Sequence, residues 1–379
     1  MSDVDLYWLP WTRLATTHDV VSAYRLAAAD YPPLSQLMLA MSADFGRLVG
    51  LTPLLSLKAA LGLGLLASCA VVWEWTKRLD TAALLGLVLV VPTLGLSYID
   101  IFFAPFLLVA FWALSERRFA WGMTFFVAAI FIKWQPLIFA PFVFVYLWRN
   151  LPRKQALLLI VGLPLLALAL FALIYGGALW AAWKAAIGQT VFSGNATNLP
   201  WIFTFLIRAL KPDLVGPLVE GRVDNFSSGR LILTAPFKLL FAGFYGWLLL
   251  RAFKAGDQFA DTLRLATLGF IAYYLFNTGV HENHLFAPCL AAAALFYLTR
   301  EWRILLFCAL ILNLNCVLFY GFTGQEPAWR VVGGVDLTVI VAFIACVCGF
   351  VLLVKKPKVP LVSAPTLSLL RQKAVSDSL

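Results

Sequence analysis

The strongest constraint on this chain is a succession of apolar runs, each close to the ~20 residues a helix needs to cross a bilayer, recurring from residue 51 to residue 354. Backbone N–H and C=O groups in hydrocarbon must be paired within their own segment, so such runs fold as helices. The residue usage agrees, with 62% hydrophobic and 13% charged residues where a soluble domain carries ~25% charge. A soluble enzyme, a disordered chain and a fibrous repeat are all excluded. The expected fold is all-α, a polytopic transmembrane helical bundle. The formal net charge of +10 then reads as a topology signal, since no basic stripe with interleaved aromatics suggests a nucleic-acid partner.

Apolar length and flanking Lys/Arg place eleven spans at about 53–74, 81–97, 100–115, 119–133, 136–148, 155–176, 231–250, 265–279, 284–299, 303–320 and 335–354. One alternating set of connections holds Lys77-Arg78, Arg117-Arg118, Arg149 with Arg153-Lys154, Arg251 with Lys254, Arg300 with Arg303, and Lys355-Lys356 with Lys358. That is the expected cytoplasmic side. The opposite set holds residues 1–50, Ser97–Asp100, Lys133–Gln135, a long loop at 177–230, Thr278–His284 and 321–334, and with it nearly every unusual polar residue. Three regions result: a first outer loop (1–50), a transmembrane domain (51–354) and a basic cytoplasmic tail (355–379). Eleven spans leave Met1 outside, yet residues 1–50 contain no segment able to carry it there, so a first span upstream, making twelve, is expected.

Within the first loop, Leu34, Leu37, Met38, Met41, Phe45 and Leu48 share one helical face while Ser35, Gln36, Asp44 and Arg47 take the other. This pattern predicts a helix lying in the membrane interface, started by Pro32-Pro33. The six cysteines all sit in apolar runs and read as small buried hydrophobes. Asn195-Ala196-Thr197 fits a glycosylation sequon, a pattern common by chance.

The outer polar residues are the candidate chemistry. Asp3 and Asp5 lie beside Tyr7 and Trp8, where a carboxylate can act as general base towards a sugar hydroxyl, ligate a metal, or simply be a solvated terminus. Asp30 and Tyr31 precede the two prolines that fix the turn. Asp100, between apolar runs, costs ~2.5–3.5 kcal/mol at a bilayer centre and must lie at a helix end or face a polar cavity. Lys133, among Phe131, Ile132 and Trp134, needs an anionic partner, a snorkelling route to the interface, or an anionic ligand such as a lipid phosphate, with Gln135 beside it. Asn195, Asn198 and Trp201 suit sugar hydroxyls and a pyranose face, or equally a plain turn. His281 and His284, two of only three histidines, flank Glu282 at i and i+3; two metal ligands, an interfacial cap and phosphate recognition all fit that spacing.

In order along the chain these motifs resemble the integral-membrane C-type glycosyltransferases, specifically prokaryotic relatives of the GPI-anchor second mannosyltransferase, and more weakly the dolichyl-phosphate-glucose-dependent glucosyltransferases. Asp100 matches the acid of a Gly-Gln-x-Asp motif in which Ser97-Tyr98 replaces Gly-Gln. Lys133-Trp134-Gln135 stands where relatives carry Lys-Pro-Gln, and His281-Glu282-Asn283-His284 where they carry His-Glu-Arg-Tyr. The missing arginine removes a bidentate phosphate grip.

The resemblance implies inverting transfer of a mannose-like or glucose-like hexose from a polyprenyl-phosphate donor to a glycan or lipid-linked acceptor on the non-cytoplasmic face, in a bacterial cytoplasmic membrane. Asp3 or Asp5 would be the base, and Lys133, Gln135, His281 and His284 would hold the phosphate. Asp30, Tyr31, Asp100, Asn195, Asn198, Trp201 and Glu282 would contact substrate, with no cofactor required. A transporter or lipid-linked-sugar flippase, which needs polar groups accessible from both sides near the midplane, and a non-catalytic membrane subunit are the competing classes.

Overall fold

The computed structural model describes residues 4–28, 30–322 and 324–355; Asp3 and nearly all of the expected tail fall outside them. After a π-helical turn at Val4–Trp8 come α1 (Leu9–Thr17), α2 (Val20–Ala27) and α3 (Pro33–Val49). The body continues as α4 (Pro53–Thr76), α5 (Leu79–Gly95), α6 (Ala104–Ser115), α7 (Phe119–Ile132), α8 (Ala140–Asn150), α9 (Arg153–Tyr175) and α10 (Gly177–Ile187). It ends with α11 (Leu199–Leu210), α12 (Leu231–Lys254), α13 (Phe259–Phe276), α14 (Phe286–Thr299), α15 (Trp302–Tyr320) and α16 (Leu337–Val354). Two small antiparallel ribbons, Val191–Ser193 with Phe226–Ser227 and Val331–Val332 with Val335–Asp336, tie the loops at 177–230 and 321–336. The architecture is helical, as expected.

Among the described residues, α4, α9, α12, α15 and α16 are long and apolar enough to cross a membrane, and they match five of the eleven expected spans to within a few residues. The other six runs form α5, α6, α7, α8, α13 and α14, which are shorter or less apolar than those five. α6, α7 and α8 have 12, 14 and 11 residues, which at 1.5 Å per residue rise only about 16–21 Å against a core of about 30 Å. α13 and α14 are apolar because protein surrounds them: nearly every residue from Phe259 to Phe276 and from Phe286 to Leu295 is buried. α13 and α14 thus lie at the centre of the helical body, whereas α9 has no buried residue in its apolar window and turns Leu165, Leu166, Leu170 and Leu173 outward.

The helix expected at 34–50 is α3, and its expected polar face divides between packing and exposed positions. Ser35, Gln36, Ser42 and Gly46 pack inward: Ser35 Oγ donates to Pro32 O, Gln36 Nε2 to Trp11 O at 3.1 Å, and Gly46 abuts Ser56. Met41, Phe45, Leu48 and Val49 face outward. Small and amide side chains let α3 approach its neighbours closely, which leaves the large apolar residues to the outside, as an interfacial helix requires. Asp44 and Arg47 stay exposed and pair with each other at 2.6 Å.

Candidate functional site

Three helix connections meet beneath the N-terminal helices. The first is Ser97 to Phe103, between α5 and α6. Ser97 sits at φ 62°, left-handed backbone that favours glycine, and it leads into a 3-10 turn at Ile99–Phe102 that carries Asp100. The second is Lys133–Phe139, where extended backbone at Lys133 ends α7 and Pro136 sits in the first turn of Gln135–Phe139. The third is the 3-10 turn Glu282–Leu285 that enters α14.

At their junction the wholly buried Asp100 pairs with Lys133, Nζ to Oδ2 2.6 Å. Asn283 Nδ2 donates to the same oxygen at 3.4 Å, and Tyr98 OH donates to Glu282 Oε1 at 2.8 Å. Lys133 therefore has a protein counter-ion. The anionic partner that Lys133 needs is Asp100, a residue expected to contact substrate. Burial pushes the Asp100 carboxyl up, against the pull of Lys133, then of its own backbone N–H and of Asn283. Burial likewise lifts Glu282 to about 6, opposed by backbone and Tyr98 hydrogen bonds and by Lys133.

The cluster is incompletely satisfied. Asp100 Oδ1, Glu282 Oε2, both amide atoms of Gln135 and Ser97 Oγ are buried with no hydrogen-bond partner among the described residues. A buried polar atom without a partner costs ~1–3 kcal/mol, more if charged, and several within one junction mark a place built for a polar ligand or water.

Aromatic rings roof the junction. Lys133 Nζ lies 5.0 Å from the Tyr31 ring centroid, close enough for a cation–π contact. Tyr31 packs edge-on against Trp8 and Trp11 at 5.5 and 5.7 Å, and the buried Trp8 Nε1 has no partner among the described residues. Asp30 is fixed twice, its carbonyl accepting from Trp134 Nε1 and its Oδ2 from Gln189 Nε2, both at 2.9 Å. Asp5 is exposed on the turn that ends in Trp8. Trp8, Trp11, Tyr98 and Gln189 were not singled out by sequence; Tyr98 carried a signal, since it replaces the Gln of the resembled motif.

The histidines form a reciprocal cap and do not project from a helical face. His284 Nδ1 accepts from His281 N–H at 2.8 Å, the His281 ring accepts from His284 N–H, and the rings stack 5.7 Å apart. Burial, then His281, holds His284 well below the usual imidazole range. A neutral ring with Nδ1 accepting carries its proton on Nε2 and can donate one hydrogen bond without charge. Gly194 brings the outer loop onto this turn: a Cβ there would lie 2.6 Å from Val280 O and 2.8 Å from His281 Nδ1.

Beyond Gly194 the loop is structural. Asn195 Nδ2 donates to Tyr320 OH at 2.8 Å. Asn198 caps α11 through Trp201 N and donates to Tyr274 O. Trp201, expected to stack on a sugar, is fully buried, with Nε1 donating to Thr338 Oγ1 at 2.8 Å and Phe319 against its ring. Packing occupies the faces a pyranose would need.

An apolar cavity of about 340 Å³ opens beside the junction, lined by α7, α8, α9 and α10, with Phe131, Trp134, Leu168, Leu179 and Trp183 among its walls. Trp134 both lines this cavity and follows Lys133, so lipid-like and polar surfaces adjoin. Among the described residues no three His, Cys, Asp or Glu side chains gather as a metal site. No protein-family model and no curated protein matches this sequence.

Proposed function

We propose that this is an integral-membrane hexosyltransferase that takes a sugar from a polyprenyl phosphate and passes it, with inversion, to an acceptor hydroxyl at the outer face of a bacterial cytoplasmic membrane. The observation that carries the reading is the adjacency of two unlike surfaces: an apolar cavity suited to an isoprenoid chain and, one residue along from Trp134, a buried polar junction with unpartnered Asp100, Gln135 and Glu282 atoms. A lipid-linked sugar phosphate presents that same sequence of apolar tail and polar head. Ser97 at φ 62° supports the resemblance from a second direction, because the related motif carries glycine there.

In this reading the acceptor oxygen attacks the anomeric carbon as the C–O bond to phosphate breaks. Asp5, on the turn that ends in Trp8, or Asp3, outside the described residues, takes the acceptor proton. Lys133, held by Asp100, and the His284 Nε2–H offer donors to the departing phosphate. Polyprenyl-phosphate mannose and glucose, incubated with purified protein in lipid nanodiscs, should release polyprenyl phosphate, and Gln135→Leu should slow release at least tenfold. If neither donor is consumed, with or without added glycan acceptors, the reading fails.

A further inference from the structure

The junction holds two buried carboxyls and one lysine, and the geometry decides which acid goes without a cation. Lys133 and Asn283 both donate to Asp100 Oδ2, whereas Glu282 receives only uncharged donors, the Tyr98 phenol on Oε1 and its own backbone N–H, and its Oε2 has no hydrogen-bond partner among the described residues. The other titratable or charged groups around it are Asp100, Tyr98, Lys133, Cys316, His281, His284 and Tyr320. Lys133 is the only one whose side chain is ordinarily cationic at neutral pH, and it is engaged by Asp100. His284 is held neutral by burial. Position 283, where the resembled motif offers arginine, is asparagine. A carboxyl only 3% exposed with no cation of its own relieves its desolvation by keeping its proton.

We propose that Glu282 is a proton-carrying hydrogen-bond donor, and that its Oε2–H meets an oxygen of the lipid-linked phosphate, in place of the charge an arginine would supply. The inference rests on the transferase reading for its ligand and on the junction's own geometry for the proton. During transfer the acceptor oxygen bonds to the anomeric carbon, the carbon–oxygen bond to phosphate breaks with its electron pair passing to the phosphate oxygen, and the acceptor's proton goes to the aspartate base. The Glu282 proton stays on the carboxyl, strengthens its bond as phosphate charge develops, and is not consumed. Tyr98 orients the group by donating to Oε1, so Oε2 is the oxygen left to carry hydrogen.

Two measurements on the full chain in nanodiscs separate the parts. Infrared titration between about pH 5 and 8 should show a protonated-carboxyl carbonyl band that Glu282→Gln removes; an unchanged titrating band in that variant overturns the proton assignment. The second is the Kd of farnesyl phosphate for wild type and Glu282→Gln, whose amide donates a hydrogen bond at every pH. Their ratio cancels the probe's own titration. It should be near one at acidic pH and rise towards tenfold per pH unit, against the wild type, once Glu282 ionises. A ratio independent of pH, or tighter wild-type binding at alkaline pH, overturns the donor role. If neither protein binds the probe while the band behaves as expected, the donor role and the lipid-phosphate reading fall together and the buried proton stands.

Discussion

Removing Lys133 is the perturbation whose size the structure best defines. Lys133→Met fills much of the same volume and leaves Asp100, 0% exposed, with a single weak donor, Asn283 at 3.4 Å. Stranding one member of a buried ion pair costs about 3–5 kcal/mol, because the remaining charge keeps its desolvation penalty and loses its partner. With unfolding entropy in proportion to chain length, that is a fall of about 4–6 °C in the thermal midpoint. The loss must depend on pH. Without lysine the Asp100 carboxyl, already pushed up by burial, rises further. A carboxyl with a raised folded pKa stabilises below its unfolded value near 3.9 and loses that contribution as pH climbs through the folded value, at ~1.4 kcal/mol per unit. The variant should therefore sit close to wild type in acid and fall behind towards neutrality. The double variant Asp100→Asn/Lys133→Met, which leaves no buried charge, should recover most of the loss. Thermal unfolding in detergent at stepped pH reads all three proteins. A single variant as stable as wild type at neutral pH, or a double variant no better than the single, would refute the ion pair as the organising contact of the junction.

Glu282→Gln should be more stable than wild type at neutral pH. Its carboxyl, lifted from 4.5 to about 6, contributes fully below 4.5 and loses about 2 kcal/mol as pH rises through 6, so the two melting curves should converge in acid. Ser97→Gly should stabilise by about 1 kcal/mol, since relief of left-handed strain and of an unpartnered hydroxyl outweighs the added freedom of the unfolded chain; Ser97→Ala should gain less, and equal melting points for the two would argue against strain at this position. Gly194→Ala should cost about 1–3 kcal/mol and weaken farnesyl phosphate binding, because the new Cβ would stand 2.8 Å from His281 Nδ1; unchanged binding would detach the outer loop from the site. Trp201→Phe should lower the melting point, through the lost Thr338 bond and lost volume, while leaving KM for the sugar donor unchanged; a raised KM with unaltered stability would restore Trp201 as a sugar platform.

What could be read from sequence follows the range of the forces involved. Helix formation is local, so the five long apolar helices were visible as runs, and α3 was visible as a pattern. What lies outside a helix is tertiary. The face of α3 carrying Ser35 and Gln36 is polar by pattern and packs inward by contact, because small residues can mean solvent or close approach, and the burial of α13 inside the helical body is likewise set by its neighbours. The polar motifs divide in the same way. Asn198 Oδ1 and the His281–His284 pair make their capping bonds within three residues, and such local closure can be foreseen from spacing alone. Lys133 and Asp100 are 33 residues apart and Tyr98 and Glu282 are 184 apart, so only the fold reveals that one acid takes the lysine and the other does not. That unequal division turns a set of conspicuous residues into a hypothesis about chemistry: atoms engaged in caps, such as His284 Nδ1, are taken, whereas Glu282 Oε2, Asp100 Oδ1 and the Gln135 amide have no partner among the described residues.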